Sequence, residues 1–142
     1  MKPIHILIVE DNEGDLILTL EALNEGKLKN KISIARDGEE ALNFIFDQPN
    51  VDELPDLILL DINLPKVDGK EVLEKIKSSK HKSIPIVILT TSSSEKDIMD
   101  SYAKSANSFI TKPVDFEKFI EVVKNIEEYW LSIVKLPSHS NA

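Results

Sequence analysis

The chain has 142 residues, 30% of them charged and 42% hydrophobic, with a formal net charge of −8 and no cysteine. That length suits one domain able to bury roughly two thirds of its unfolded surface, and the acidic balance argues against attraction to nucleic acid phosphates or anionic lipid. Disulfides, thiolate metal sites and cysteine nucleophiles are excluded, which suits a reducing compartment.

Met1-Lys2-Pro3 leads into the apolar run Ile4-His5-Ile6-Leu7-Ile8-Val9, too short for a signal peptide core or a membrane span, so a cytoplasmic location is expected. This first strand ends at Glu10-Asp11. A helix from about residue 14 to residue 25 follows, with Leu16, Leu20 and Leu23 at spacings of four and three and Gly26 as its stop. Ile32-Ser33-Ile34-Ala35 forms a short second strand, and Asp37 offers an N-cap to a helix carrying Ala41, Leu42, Ile45 and Phe46 on one face. Pro49 and Pro55 bracket a loop before the third run, Leu57-Ile58-Leu59-Leu60, which ends on Asp61. A third helix starts near Gly69 and presents Val72, Leu73 and Ile76. The fourth run, Ile86-Val87-Ile88-Leu89, ends at Thr90-Thr91, and a helix capped by Ser94 carries Ile98, Met99, Tyr102 and Ala103. Phe109-Ile110 is the fifth strand and ends at Thr111-Lys112-Pro113.

In the last helix Phe116, Phe119, Ile120, Val123, Ile126, Trp130 and Ile133 continue one stripe. A helix of about twenty residues is roughly 30 Å long, against about 17 Å for a five-residue strand, so its end is expected to overhang the sheet. Tyr129, Trp130, Leu131 and Val134 would then meet another subunit, or pack on the chain's own first helix and loops. Residues 1–136 read as one domain with an extended C-terminal helix, and 137–142 as a disordered tail.

Five strand-like runs, each followed by helical spacing, indicate an α/β fold of (βα)5 type, a doubly wound five-stranded parallel sheet. In such sheets chemistry gathers at the carboxyl ends of the strands, where Glu10, Asp11, Asp61, Thr90 and Lys112 would meet. One strand-end carboxylate is ordinarily solvated or a helix cap, but three that converge raise each other's pKa unless a cation intervenes. Magnesium fits: it favours few carboxylates and retained waters, and Glu10, Asp11 and Asp61 with the backbone carbonyl of Asn63 leave such vacancies. An aspartate that attacks phosphorus forms an acyl phosphate and needs positioning and charge neutralisation above all. Asp61 would attack, while Lys112 and the Thr90 hydroxyl neutralise the remaining charge.

These residues resemble the receiver domains of two-component response regulators over about residues 4 to 128. The acidic pair Glu10-Asp11, Asp61 in Leu60-Asp61-Ile62-Asn63-Leu64-Pro65, Thr90 and Lys112-Pro113 fall in that family's order, and Leu64-Pro65-Lys66-Val67-Asp68-Gly69 looks like its loop after the third strand. The resemblance implies a CheY-like, flavodoxin-like three-layer sandwich and a histidine kinase or phosphotransfer protein that donates a phosphoryl group to Asp61. It further implies slow autodephosphorylation, a cis Lys112–Pro113 peptide, a switch that couples Thr90 and Phe109, and output through the face of the fourth helix, fifth strand and fifth helix. Within the family, Glu10-Asp11-Asn12-Glu13-Gly14-Asp15, Thr90-Thr91-Ser92 and Glu127-Glu128-Tyr129-Trp130-Leu131 look most like small single-domain regulators of the phytochrome-associated type. That implies a phytochrome-like kinase and a homodimer, either through the face of the fourth helix, fifth strand and fifth helix or through the C-terminal helix.

The chain departs from the pattern in having Ser105-Ala106 where Gly-Ala is common, Phe109 where the switch aromatic is often tyrosine, and Thr91 where a smaller residue is usual. Asn63 and Ser92 stand where the family tunes dephosphorylation. A phosphatase of the haloacid dehalogenase type would need an acid where Asn63 stands, and a flavodoxin-like carrier a glycine- and hydroxyl-rich loop where Glu10-Asp11-Asn12-Glu13 stands. No Gly-x-x-x-x-Gly-Lys segment supports nucleotide binding, and His5, His81 and His139 form no metal cluster. An interaction module that is never phosphorylated remains the main rival. About fourteen residues follow Glu128, too few for a DNA-binding domain, so no direct contact with nucleic acid is expected.

Overall fold

The computed structural model describes residues 3–25, 30–47 and 50–137, with the backbone alone for 132 and 133. Among these residues β1 (Ile4–Val9), β2 (Asn30–Ala35), β3 (Leu57–Leu60), β4 (Ile86–Thr90) and β5 (Ser108–Thr111) form one parallel sheet in the order β2-β1-β3-β4-β5. Between and after the strands come α1 (Glu13–Asn24), α2 (Gly38–Phe46), α3 (Gly69–Lys77), α4 (Glu95–Ala103) and α5 (Phe116–Glu127). The expected (βα)5 architecture is the observed one. The expected helix stop at Gly26, the loop residue Pro49, the side chain of Ile133, His139 and the tail after Pro137 lie outside the described residues.

Both faces of the sheet are covered, so the inner strands β1, β3 and β4 are largely apolar, while the edge strands β2 and β5 are more polar and less buried. Leu7, Val9, Ile58, Leu60, Ile86 and Ile88 point to one side, where Ala41, Ile45, Val72, Leu73 and Ile76 of α2 and α3 pack on them. Ile6, Ile8, Leu57, Leu59, Val87 and Leu89 point to the other and meet Leu16 and Leu23 of α1 and Phe119, Val123 and Ile126 of α5. The polar residue inside β1, His5, is buried with its Nε2 2.7 Å from the Ser33 hydroxyl. Asn12, Asp37, Asp68, Ser94 and Asp115 cap the five helices with side-chain oxygens that accept backbone N–H groups.

Three expectations need correction. The end of α5 does not run on clear of the core: the helix widens into a π-helical turn over Glu128–Ile133, in which the Val134 N–H donates to the Tyr129 carbonyl at 2.9 Å, and Leu131 and Trp130 pack on the chain itself. A turn closed five residues apart places Leu131, not Trp130, beneath Ile126, so Leu131 is buried in the core and Trp130 packs at its margin, while Tyr129 is exposed. α4 is not an ordinary amphipathic helix, since it fully buries only Ser101 and leaves Met99 and Tyr102 exposed. It docks through polar contacts: the Phe109 N–H donates to the Tyr102 hydroxyl at 3.0 Å, and Lys70 of α3 pairs with Asp97 at 2.5 Å and Asp100 at 3.1 Å. Lastly, the Lys112–Pro113 peptide is trans, like every peptide bond among the described residues. Trans is the ordinary preference of such a bond. Two smaller differences concern Phe46 and Phe116, expected on buried faces but exposed at a helix end and a helix start.

The turn at Ser105 is a helix C-cap. Ser105 takes a φ of 73° and its N–H bonds to the Tyr102 carbonyl at 3.0 Å, while the Ala106 N–H bonds to the Ser101 carbonyl at 3.0 Å. This paired arrangement ordinarily carries glycine at the left-handed position. Ser105→Gly should therefore raise unfolding stability by about 1 kcal/mol in urea denaturation, whereas no change or a loss would show that the serine side chain contributes there.

Candidate functional site

The parallel register brings the strand ends together. Val9 pairs with both Ala35 and Leu60, and the Asp61 N–H continues the ladder by donating to the Val9 carbonyl at 3.0 Å, so Glu10 and Asp61 emerge side by side. Thr90 pairs with Thr111 on the neighbouring strands, which places Lys112 one residue beyond the sheet. The strand order reverses between β1 and β3, and the cluster sits at that crevice.

Lys112 is the centre. Its buried ammonium donates to Glu10 Oε1 at 2.5 Å, Asp15 Oδ2 at 2.8 Å and Asp61 Oδ2 at 2.9 Å. Burial lowers the pKa of Lys112, but the bonds to Asp15, Glu10 and Asp61 outweigh it and leave the pKa raised, so the group stays an ammonium at neutral pH. Burial pushes the Glu10 carboxyl up to about 7, with the Asp61 charge adding to it against the pull of Lys112. The other Asp61 oxygen accepts the Asn63 N–H at 3.0 Å. Fully buried Thr90 has its hydroxyl oxygen 3.4 Å from both the Asn63 amide nitrogen and the Ser92 backbone nitrogen, each a donor to it.

Oxygens of Glu10, Asp11 and Asp61 lie within 4.8 Å of one another, with Asp11 exposed. Three hard oxygen donors around one point, facing a single ammonium, suit a divalent cation that keeps part of its water shell. Asn63 stands beside them, tied to Asp61 through its backbone. Every residue singled out at the strand ends is thus brought to one edge. Phe109 is on β5, partly buried against the core and one strand away from Thr90. Thr91 is exposed.

Other contributors went unassigned in the sequence. Asp15 was visible in the acidic motif after β1, but its place on the first turn of α1, aimed at Lys112, depends on the helix axis. The Ser92 hydroxyl donates to Asp97 at 2.5 Å, and Lys70, then Ser92, pull the Asp97 carboxyl down to about 2. The loop after Asp61 is wedged between two glycines: a Cβ at Gly38 would come within 1.9 Å of the Val67 carbonyl, and one at Gly69 within 2.4 Å of the Asp61 carbonyl and the Ile62 Cα.

The family model of the response regulator receiver domain matches residues 6–124. Response regulator Rcp1 of Synechocystis sp. (strain ATCC 27184 / PCC 6803 / Kazusa) is 41% identical over 136 residues, 94% of this chain and 92% of that protein. Its Mn(2+)-bound crystal structure superposes with a TM-score of 0.90, covering 96% of this chain and all of that one. The phosphorylated cyanobacterial phytochrome response regulator RcpA gives 0.91 at 44% identity, with 96% and 100% covered. The "Probable methanogenesis regulatory protein FilR2" of Methanothrix harundinacea (strain 6Ac) is 40% identical over 137 residues, 95% of this chain and 88% of that protein. Among the described residues no helix is long and apolar enough to cross a membrane.

Because its clash is with backbone, Gly69→Ala should cost about 2 kcal/mol in urea denaturation and shift the Asp61 and Ile62 amide resonances more than those at the start of β3. Gly14→Ala, whose Cβ would meet only the Asn12 side chain at 3.4 Å, serves as the tolerated control.

Proposed function

The chain belongs to the response regulator receiver family, and from that premise we propose that Asp61 accepts a phosphoryl group from a histidine kinase or phosphotransfer protein. The observation that carries this reading is the meeting of Asp61 with Lys112 at 2.9 Å beside Glu10 and Asp11. A carboxylate oxygen of Asp61 attacks phosphorus, the P–N bond of the donor phosphohistidine breaks, and the imidazole leaves with its electron pair. Lys112 moves its bond from Asp61 to a phosphoryl oxygen, and the Thr90 hydroxyl, held at the end of β4, donates to another. Glu10, Asp11 and Asp61, with the Asn63 carbonyl, would hold magnesium. The cation, when bound, supplies positive charge against the phosphoryl oxygens.

The Asn63 carboxamide is no general acid for a leaving group, and its side-chain N–H already donates to the Thr90 hydroxyl, which disfavours a phosphomonoesterase. The donor would approach over the starts of α1 and α5, where Ile17, Val114 and Phe116 are exposed at the same end of the sheet as Asp61. RcpA is a phytochrome response regulator, so a phytochrome-like kinase is the donor we favour.

In this reading the output is a changed protein interface, the α4, β5 and α5 face. There Thr90 is linked through Ser92 to Asp97 on the thinly packed α4, and α4 is linked through Tyr102 to the backbone of Phe109. A groove of about 480 Å³ beside Ile110, Val122, Tyr129 and Trp130 gives this face room for a second copy of the chain.

Incubation with acetyl phosphate and magnesium should add one hydroxylamine-labile phosphoryl group to the wild type, read by intact mass, and none to Asp61→Asn or in the absence of the metal. No adduct, even from phosphorylated histidine kinases, would favour the module that is never phosphorylated. Thr90→Ala should still take the group yet lose most of any phosphorylation-dependent change in dimerisation seen by sedimentation; if that change persists, the Thr90 relay is wrong.

A further inference from the structure

We propose that Asp15 is a positioning residue for phosphoryl transfer: it holds the Lys112 ammonium in place while the two other carboxylates on that ammonium are redirected. The inference rests on the phosphoacceptor reading and adds to it a residue outside the acidic pair, the acceptor, the hydroxyl and the lysine.

An ammonium has three N–H donors, and Lys112 places them on Glu10, Asp15 and Asp61. Two of these acceptors, Glu10 and Asp61, belong to the group that can hold a cation; Asp15 does not. When Asp61 forms its bond to phosphorus, the ammonium must leave that carboxylate for a phosphoryl oxygen, and Glu10 has a cation to serve. Asp15 is the acceptor that need not change partner.

Its own placement is fixed. The Asp15 N–H donates to the Asn12 side chain at 2.9 Å, and its carbonyl accepts from the Thr19 hydroxyl at 2.8 Å. Glu13, two residues earlier and on the other side of the helix, is engaged by Arg36 instead. The carboxylate that reaches Lys112 therefore stands on a capped helix turn packed against α5, not on a free loop. An ammonium on a four-carbon stem is otherwise free to swing out over several rotamers.

The test compares wild type, Asp15→Asn and Asp15→Glu. With acetyl phosphate at saturating magnesium, Asp15→Asn should be phosphorylated roughly tenfold more slowly, the scale of one charge-assisted hydrogen bond, and Asp15→Glu should recover part of the loss. Magnesium affinity by calorimetry should change less than about threefold, as expected of a partly exposed charge outside the ligand set. In the magnesium-loaded protein without donor, hydrogen exchange of the Lys112 ammonium, followed by lysine-selective nitrogen NMR, should be faster in Asp15→Asn. An unchanged exchange rate overturns the proposal, as does a loss of phosphorylation that only tracks lost magnesium affinity. If the wild type itself takes no phosphoryl group, the phosphoacceptor reading falls and this role with it, whereas a fully active Asp15→Asn overturns the role alone.

Discussion

The contact of Lys112 with Glu10, Asp15 and Asp61 is the constraint on which the rest of the site depends. Four carboxylates, counting Asp11, crowd the end of the sheet, and without a buried cation their repulsion would oppose the register that places Glu10 beside Asp61. Lys112 reaches across from the end of β5 and ties together the ends of β1 and β3 and the first turn of α1. Four carboxylates face this one ammonium, and burial, with the Asp61 charge adding to it, keeps the Glu10 pKa raised. An excess of carboxylate oxygens over positive charge at one point is the kind of setting that suits a divalent ion.

Around this point the fold divides its labour. β1, β3 and β4 are buried on both faces and hold the chemistry still, with Leu60, Ile58 and Ile86 essentially inaccessible. α4 is attached differently, by Lys70, by Ser92 to Asp97 and by the Tyr102 hydroxyl on β5. Polar contacts of this kind can be exchanged at smaller cost than a packed apolar face. A helix held in this way beside the Thr90 loop is suited to respond to what happens at Asp61.

Much of this was legible in the sequence because it depends on local pattern. The apolar runs at Ile4, Leu57 and Ile86, the caps at Asp37 and Ser94, and the order of Glu10, Asp61, Thr90 and Lys112 all announce a parallel sheet with its chemistry at one edge. What was missed depends on angles and close approach. Asp15 contributes only because α1 leaves its cap in the direction of Lys112, and Gly38 and Gly69 matter because two helix starts press on the loop after Asp61. The strain at Ser105 is a dihedral that a residue name hints at without fixing. In α4 the apolar residues Met99 and Tyr102 suggested burial, but its contacts are polar.

The π-helical turn after α5 acts as a phase shifter. One residue in an ordinary helix turns the line of side chains by about 100°, and the widened turn spends about that angle to bring Leu131 under Ile126. Without it, Trp130 would occupy the inner line and Leu131 would be turned outward. Which side chain closes this end of the core, Leu131, and which ring stands at its margin, Trp130, are therefore chosen by a single step of rotation. The widened turn thus accommodates one residue more than an ordinary helix would need: with one residue deleted between Ile126 and Leu131, a plain α-helical turn would set the same leucine on the inner line, and the bulge would have nothing left to correct.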